Sequence, residues 1–262
     1  MNSLILRLSG PMQSWGTQSR FRHRDTTREP SKSGVLGLVA CALGRPRGAA
    51  LDDLFALTLT IRVDREGSMQ RDYQTAGGGS RPDGSRYGVA KSSGKPGDPL
   101  PSERYYLADA DFRVALTGPD PGWLNQLAEA LEHPHWPLYL GRRAFVPDPG
   151  LCRGVRVGLD GLAALRQEPW FRRDDRERAE LQAVSPVHSL AFRRDDRERT
   201  PAVLRYVIEL ARNQSGGEIR NDVTRSFAER EFELRRVQVI TEPLSSDLIQ
   251  SEEGHVSVST EA

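Results

Sequence analysis

The chain contains little cysteine, little lysine and no long apolar run. Its only cysteines are Cys41 and Cys152, which cannot form a disulfide framework or a four-thiolate zinc site. The five histidines are scattered along 262 residues, so we predict neither a metal site nor a cofactor. No stretch approaches the roughly 20 apolar residues of a membrane-spanning helix, and the start of the chain lacks the basic residues and cleavage site of a secretory signal. We therefore expect a cytoplasmic protein with no membrane partner.

The scarcity of lysine makes the positive charge almost entirely arginine. Only Lys32, Lys91 and Lys95 are lysines among 37 basic residues, and the formal net charge is +1. Residues 1–50 carry eight basic residues against two acids, whereas residues 241–262 carry five acids and no Lys or Arg. A guanidinium donates in pairs to phosphate and lies flat on a base, so clustered arginines indicate contact with nucleic acid. A GC-rich genome, which favours Arg codons, would explain the overall composition equally well.

Hydrophobic periodicity predicts two passes of a strand, a helix and a strand. The predicted helices cover residues 33–43 and 123–131. The predicted strands cover residues 3–8, 57–63, 104–107, 111–117 and 151–159. This order favours an α+β fold in which residues 1–160 form a ferredoxin-like (RRM-related) domain with helices on one face of the sheet.

The second half of the chain gives weaker patterns. We expect residues 161–241 to form a less regular C-terminal part whose strands, including LRYVIELA from residue 204, pack on the first domain. The octapeptide FRRDDRER occurs at 171–178 and again at 192–199, and its mixed charges are more typical of a solvated linker or helix than of a repeated RNA contact. The acidic tail, residues 242–262, is predicted to be disordered.

Two motifs near the N-terminus carry residue types that suit a single-stranded nucleic acid. In GPMQSWG, at 10–16, Trp15 offers a flat face and Gln13 an amide; the alternative is a tryptophan that packs beneath the turn. In PSKSGV, from residue 30, Lys32 and Ser33 stand at the predicted helix start, which could bind phosphate. Ordinary helix capping is the alternative, and the pattern of a nucleotide-triphosphate loop is absent.

Two further motifs place polar side chains beside predicted strands. Arg71, Tyr73 and Gln74 alternate on an extended stretch, and Arg142 and Arg143 follow a glycine in YLGRR. Surface salt bridges would explain either set about as well. Between these motifs, residues 76–102 hold seven glycines, four prolines and five serines, a composition typical of a functional or disordered loop.

Taken together, the motifs closely resemble the CasD family of type I-E CRISPR systems, within the repeat-associated mysterious protein superfamily. The motifs that carry this resemblance are GPMQSWG, SGVLGLVACALG, RDYQT, YLADADFRVAL, PLYLGRR and, near the end, RSFAERE. The resemblance implies a subunit of the Cascade surveillance complex that binds and caps the 5′ handle of the CRISPR RNA (crRNA). It also implies contacts with the backbone and large subunits, and with target DNA only indirectly, through the complex.

The resemblance also implies a thumb, an arched insertion at about residues 74–105. Its candidate contact residues are Arg81, Arg86, Tyr87, Lys91 and Lys95. The candidate RNA-binding residues, from the motifs and the resemblance together, are Gln13, Ser14, Trp15, Arg20, Arg22, Arg24, Lys32, Ser33, Arg71, Tyr73, Gln74, Arg142 and Arg143.

An enzyme is the main alternative. A relative in type I-C systems cuts precursor crRNA without metal by acid and base chemistry that uses a tyrosine, a lysine and a histidine. Tyr73, Lys32 and His23 supply these residue types here. Because type I-E systems have a separate processing nuclease, we expect a subunit that is not an enzyme. A stand-alone RNA-binding module is less favoured, because the RRM spacing of aromatic residues is absent.

Overall fold

The computed structural model describes residues 1–17, 22–78, 82–84, 88–89, 97–172, 203–229 and 231–251. Several predictions therefore lie outside the described residues. These are the predictions for Arg20, for the thumb residues Arg81, Arg86, Tyr87, Lys91 and Lys95, for the second octapeptide and most of the first, and for residues 252–262.

The described residues form strands and short helices in an α+β arrangement, as predicted. The helices are α1 (Lys32–Ala42), α2 (Asp52–Phe55), α3 (Pro121–Glu132) and α4 (Gly161–Leu165). The strands are β1 (Asn2–Ser9), β2 (Met12–Gln13), β3 (His23–Arg24), β4 (Thr58–Arg65), β5 (Ser68–Ala76), β6 (Leu100–Ala108), β7 (Asp111–Gly118), β8 (Cys152–Arg156), β9 (Trp170–Arg172), β10 (Val203–Glu209), β11 (Glu218–Ser226), β12 (Glu231–Pro243) and β13 (Ile249–Ser251).

The main sheet has seven strands in the order β11-β12-β10-β4-β7-β1-β8. Every neighbouring pair is antiparallel. The strands of the first half follow the predicted chain order, with α1 between β1 and β4 and α3 between β7 and β8. The C-terminal strands extend this same sheet, because β10 pairs along the free side of β4.

The two faces of the main sheet are both covered, and strand β1 shows why. Its leucines Leu4, Leu6 and Leu8 are fully buried in the same apolar cluster as residues of α1 and α3. The intervening Ile5 belongs to a second cluster, with α4 and Trp170, on the opposite face. A strand buried on both faces reads as the continuous apolar run LIL that the sequence shows. None of the helices in the described ranges has the length and apolarity needed to cross a bilayer.

A second, smaller sheet carries several of the candidate residues. Strands β5 and β6 form an antiparallel hairpin with a continuous register from Ser68 opposite Ala108 to Ala76 opposite Leu100. On the other side of β6, strands β2 and β3 each add a short pairing. The ends of the predicted loop at 76–102 are therefore strand, and the hairpin rises from the region where the thumb was expected.

The prediction of a disordered tail from Glu242 onward is wrong for residues 242–251. Strand β12 continues to Pro243, opposite Val203 on β10, and β13 pairs in parallel with β9. Glu242 forms an ion pair with Arg166, and Leu244 packs against the second apolar cluster. These partners, distant in the sequence, stabilise a segment whose acidic composition suggested disorder.

Candidate nucleic-acid interface

The small sheet separates the candidate residues of β5 onto two faces. Because side chains alternate along a strand, Arg71 and Tyr73 share one face while Gln74 lies on the other. Residues directly opposite each other share a face, so Gln74 lies with the pair Asp72 and Arg104. The sequence motif RDYQT therefore contributes to two different surfaces rather than to one.

A cleft lies on the Gln74 face of the small sheet, and we call it the arginine pocket. Its volume is about 400 Å³, and it is lined by Asp72, Gln74, Arg104, Arg142, Arg143, Ala144 and Phe145. Exposed Arg24 stands opposite Arg104 on the neighbouring strand, at the rim of this group. The pocket thus brings together three arginines from two distant parts of the chain, with a fourth beside them and one carboxylate among them.

Arg142 is held in place by the pocket wall. Its Nη2 donates to the carbonyl oxygen of Tyr105 at 2.7 Å, and its guanidinium lies 5.3 Å from the ring centre of Phe145. Burial lowers the pKa of Arg142, and the positive charges of Arg104 and Arg24 lower it further, while Asp72 acts in the opposite direction. A cation in such surroundings is stabilised by a bound anion, and a phosphate group is an anion that the arginine fork matches.

The turn that carries Arg142 and Arg143 depends on a close backbone contact at Gly141. Gly141 has φ +88, and a Cβ at this position would lie 1.7 Å from the carbonyl oxygen of Ser14. The N–H of Ser14 donates to the carbonyl oxygen of Leu140 at 3.0 Å. The Ser14 Oγ donates to the carbonyl oxygen of Tyr105 at 3.2 Å. The predicted RNA contact through the Ser14 side chain is therefore wrong for this conformation, since Ser14 is buried and supports the turn from behind.

Alanine at Gly141 should damage both the fold and the pocket. Positive φ alone costs an alanine about 1–2 kcal/mol, and overlap with a backbone oxygen adds about 1–3 kcal/mol. Gly158→Ala is the matched control, because Gly158 has φ +81 but open space around it. Urea unfolding should show Gly141→Ala losing about 3 kcal/mol and the control about 1–2 kcal/mol. Equal losses would mean that the contact with Ser14 is unimportant.

Gln13 and Trp15 lie in the core, not on a nucleic-acid surface. Gln13 is fully buried and donates through Nε2 to the carbonyl oxygens of Leu8 and Ala110, both at 2.8 Å. Its Oε1 accepts from the Nε1 of Trp15 at 3.1 Å, and Trp15 is only 1% exposed. The prediction that these two side chains contact RNA is wrong for this conformation; the alternative, a tryptophan packed beneath the turn, describes the structure.

The start of α1 is also already occupied. Ser31 caps the helix by accepting from the N–H of Gly34, and the N–H of Lys32 donates to Oδ2 of the buried Asp222 at 2.9 Å. A carboxylate from β11 therefore takes the place that a phosphate was predicted to take. Ser33 is buried as well, with its Oγ 3.3 Å from the Ser31 Oγ. The capping alternative is the arrangement observed.

The Lys32 ammonium points into the protein, where it meets a second carboxylate. Its Nζ lies 2.7 Å from Oε1 of Glu209, and its side chain is 3% exposed. Burial lowers the pKa of Lys32, and the charge and hydrogen bond of Glu209 partly offset this. Lys32 is therefore a buried structural cation, and the prediction that it contacts RNA is wrong for this conformation.

Two of the three residues suggested for nuclease chemistry, His23 and Tyr73, lie side by side in one row with Glu103 across the small sheet. Tyr73 and His23 both stand opposite Glu103, on either side of β6. The Nδ1 of His23 lies 3.4 Å from Glu103, and Arg71 donates to the same carboxylate at 3.2 Å. Lys32 is not part of this row, because its ammonium is buried against Glu209.

Arg104 and Asp72 also line the arginine pocket, although neither was among the predicted RNA-binding residues. The alternation in SERYYLA puts Arg104 on the same face as Tyr106, but a local pattern does not show which strand lies opposite. Arg22 and Arg24 are exposed beside β6, as a binding role requires, and the Arg22 carbonyl oxygen accepts from the N–H of Glu103. Within the described ranges, no three His, Cys, Asp or Glu side chains are grouped so that they could hold a metal ion.

The chain is similar to known CRISPR-associated proteins. The family model for the CRISPR-associated protein Cas5 matches residues 3–238, so the chain belongs to this family. The resemblance to CasD is confirmed: the Cascade subunit CasD of Escherichia coli strain K12 is 37% identical over 176 residues, which are 62% of this chain and 75% of CasD.

Solved structures give the same result over most of the chain. A chain of a CRISPR RNA-guided surveillance complex is 34% identical, with a TM-score of 0.72 over 94% of this chain and 92% of that one. The crystal structure of a Cas protein is 32% identical, with a TM-score of 0.63 over 92% of this chain and 95% of that one.

Proposed function

We propose that this chain is a non-catalytic subunit of a type I-E Cascade surveillance complex, in antiviral defence, and that it binds and caps the 5′ handle of the crRNA. Membership of the Cas5 family and the similarity to CasD support this proposal. The observation that carries it is the arginine pocket, because three guanidinium groups around one cleft suit the phosphates of a single RNA strand.

The handle binds with its backbone against the arginines. Arg143 is exposed and Arg142 half-buried on the turn, while Arg104 presents its charge from the floor of the sheet. Asp72 and Gln74 add an acceptor-rich patch beside these cations, where base edges can hydrogen-bond. Arg22 and Arg24 extend the positive surface along β3.

The domain organisation proposed from the sequence fits this role. The order β4-β7-β1-β8, with all neighbours antiparallel, supports a ferredoxin-like domain over residues 1–160. Strands β5 and β6 would form the base of the thumb, which reaches toward the backbone subunits. Residues 161–241 would brace the domain through the pairing of β10 with β4. Contact with the large subunit completes the assembly.

The nuclease alternative is less well supported by the positions of its three residues. His23 and Tyr73 lie in one row with Glu103, which would allow a proton to be transferred on that face. The lysine that this chemistry needs beside them is instead buried in an ion pair with Glu209. A subunit that binds without cutting is therefore favoured.

Incubation of the protein, without metal, with a labelled repeat RNA and separately with the processed 5′ handle tests the proposal. We expect the handle to bind and neither RNA to be cut. The variant pair His23→Ala and Tyr73→Phe should leave binding within about threefold, because both residues lie on the opposite face from the arginine pocket. Specific cleavage that is lost in either variant would establish the nuclease instead, and failure to bind the handle would refute the proposal.

A further inference from the structure

Trp136 is the most exposed of the four tryptophans, with 40% of its surface accessible. It lies in the segment HPHWP, between α3 and the turn that carries the arginines. A single exposed aromatic residue is common on protein surfaces. The fixed position of Trp136 and the residues around it indicate that its exposed ring binds a ligand.

Trp136 is held by contacts on both sides. The N–H of His135 donates to the Ala42 carbonyl at 2.9 Å, and the Cys41 thiol donates to the carbonyl oxygens of Trp136 and Pro137. The His135 ring lies edge-on to the indole, with ring centres 4.9 Å apart and planes at 71°. The end of α1 thus fixes the backbone, and the adjacent imidazole fixes the ring, so little side-chain entropy remains to be lost when a ligand stacks on it.

The same segment continues directly into the arginine pocket. Arg142 follows six residues later, so the two Cα atoms are at most about 20 Å apart. Between them, fully buried Leu140 anchors the chain, because its N–H donates to the carbonyl oxygen of Phe145 at 2.8 Å. The charge of Arg143 also reaches Cys41, whose pKa burial raises and Arg143 lowers. A short segment with a buried anchor therefore joins the exposed indole to the arginine turn.

The neighbours of Trp136 favour a nucleic acid over a protein as the ligand. The exposed residues beside it are Glu132, His133, Pro134, His135 and Pro137, with Arg143 near Cys41. This rim is largely polar and includes the charges of Glu132 and Arg143, whereas the centre of a protein interface is apolar and depleted of charged residues. A base stacks on an indole face whatever its sequence, and its phosphate meets the positive charge.

We propose that Trp136 is a base-stacking platform for the RNA strand where it leaves the arginine pocket. This inference rests on the proposed function, because it assumes that the pocket binds single-stranded RNA. Trp136 gives the strand a second fixed point, and it sets the direction in which the strand runs across the end of α1.

The test measures binding of the handle RNA to variants of the full chain. Trp136→Ala should weaken binding about tenfold, and Trp136→Phe should recover most of it, since stacking on an aromatic ring contributes about 1–3 kcal/mol per base. Phe232→Ala is the control, because Phe232 is 38% exposed but lies on β12, in the C-terminal part of the main sheet. RNA that carries 5-iodouridine should photocrosslink to Trp136.

The outcomes separate the inference from the function on which it rests. If the wild type binds the handle and Arg143→Ala weakens it, but Trp136→Ala binds as the wild type does, the stacking platform is wrong and the RNA-binding function stands. A Trp136→Ala chain that keeps its RNA affinity but no longer joins the other subunits makes Trp136 a protein contact and overturns the inference. If the wild type does not bind the handle, both proposals fall together.

Discussion

Replacing Arg142 and Arg143 together by alanine should weaken binding of the crRNA 5′ handle by about 100-fold or more. Each hydrogen bond from a charged group contributes about 1.5–3 kcal/mol, and 1.4 kcal/mol corresponds to a factor of ten. Arg143 is exposed and free to meet a phosphate. Arg142 is partly desolvated beside Arg104 and Arg24, which lowers its pKa and strengthens its attraction to an anion. Electrophoretic mobility shifts over a protein titration measure the loss.

The controls separate charge, geometry and folding. Arg212→Ala removes an arginine whose side chain is 87% exposed at the far side of the sheet, so binding should change by less than about twofold. Arg142→Lys keeps the charge but loses the planar fork, and it should fall between the wild type and the double variant. Binding of the double variant as tight as that of the wild type would remove the arginine pocket as the RNA site.

Salt dependence gives an independent measure of the same contacts. Affinity for the handle should fall as the salt concentration rises, because bound cations on the RNA are released when arginines replace them. Each arginine that contacts a phosphate contributes about 0.7 to the slope of a logarithmic plot for a single strand. The magnitude of this slope should therefore be about 1 to 1.5 smaller for the double variant than for the wild type. Arg212→Ala should leave the slope unchanged.

Local patterns predicted the main elements of the fold well, and the reason is physical. Strand β1, helix α1 and strand β4 bury apolar side chains that repeat at strand or helix spacing, and this information is local. The start and end of α1 were predicted to within a residue, because Ser31 caps it and Gly44 follows it with φ +69. The C-terminal hairpin of β11 and β12 was not predicted, since its exposed face carries charged residues among apolar ones.

Whether each polar candidate is buried or accessible depends on partners that the sequence does not show. Lys32 looked available for phosphate, but its ammonium meets Glu209, which lies 177 residues away. Gln13 looked available for a base, but Ala110 satisfies its amide. Arg142 and Arg143 stayed accessible because they lie on the turn at Gly141, at the edge of the cleft that they line with β5 and β6. A motif thus indicated which residues matter, whereas the tertiary structure decided which of them face the solvent.

The network around the start of α1 gives a large expected effect on stability. Asp222 on β11 accepts from Arg235 at 2.6 and 2.8 Å and from the N–H of Lys32 at 2.9 Å. Glu209 on β10 pairs with Lys32 and accepts from the N–H of Leu59 at 2.8 Å. Two cations and two carboxylates therefore join four strands, β4, β10, β11 and β12, to the helix. Removing one partner leaves an uncompensated charge in the interior.

Asp222→Asn should lower the free energy of unfolding at pH 7 by about 3 kcal/mol, since breaking a buried ion pair from one side costs about 3–5 kcal/mol. The control is Glu218→Gln on the same strand, whose carboxylate is 62% exposed beside Arg220; an exposed pair contributes less than about 1 kcal/mol. Urea unfolding of both variants measures the difference, and an unchanged midpoint for Asp222→Asn would show that the ion pair is not needed.

In acid, the free energy of unfolding of Asp222→Asn should approach that of the wild type. Burial raises the pKa of Asp222, but the hydrogen bonds and charge of Arg235 outweigh it, so the pKa lies below its ordinary value. A carboxyl whose pKa is lower in the folded than in the unfolded chain stabilises the fold above the unfolded pKa, about 3.9 for an aspartate. That stabilisation is lost as the pH falls through the folded pKa. The unfolding free energies of wild type and Asp222→Asn should therefore converge below about pH 4, and a gap that stayed constant down to pH 2 would mean that Asp222 acts by shape and not by charge.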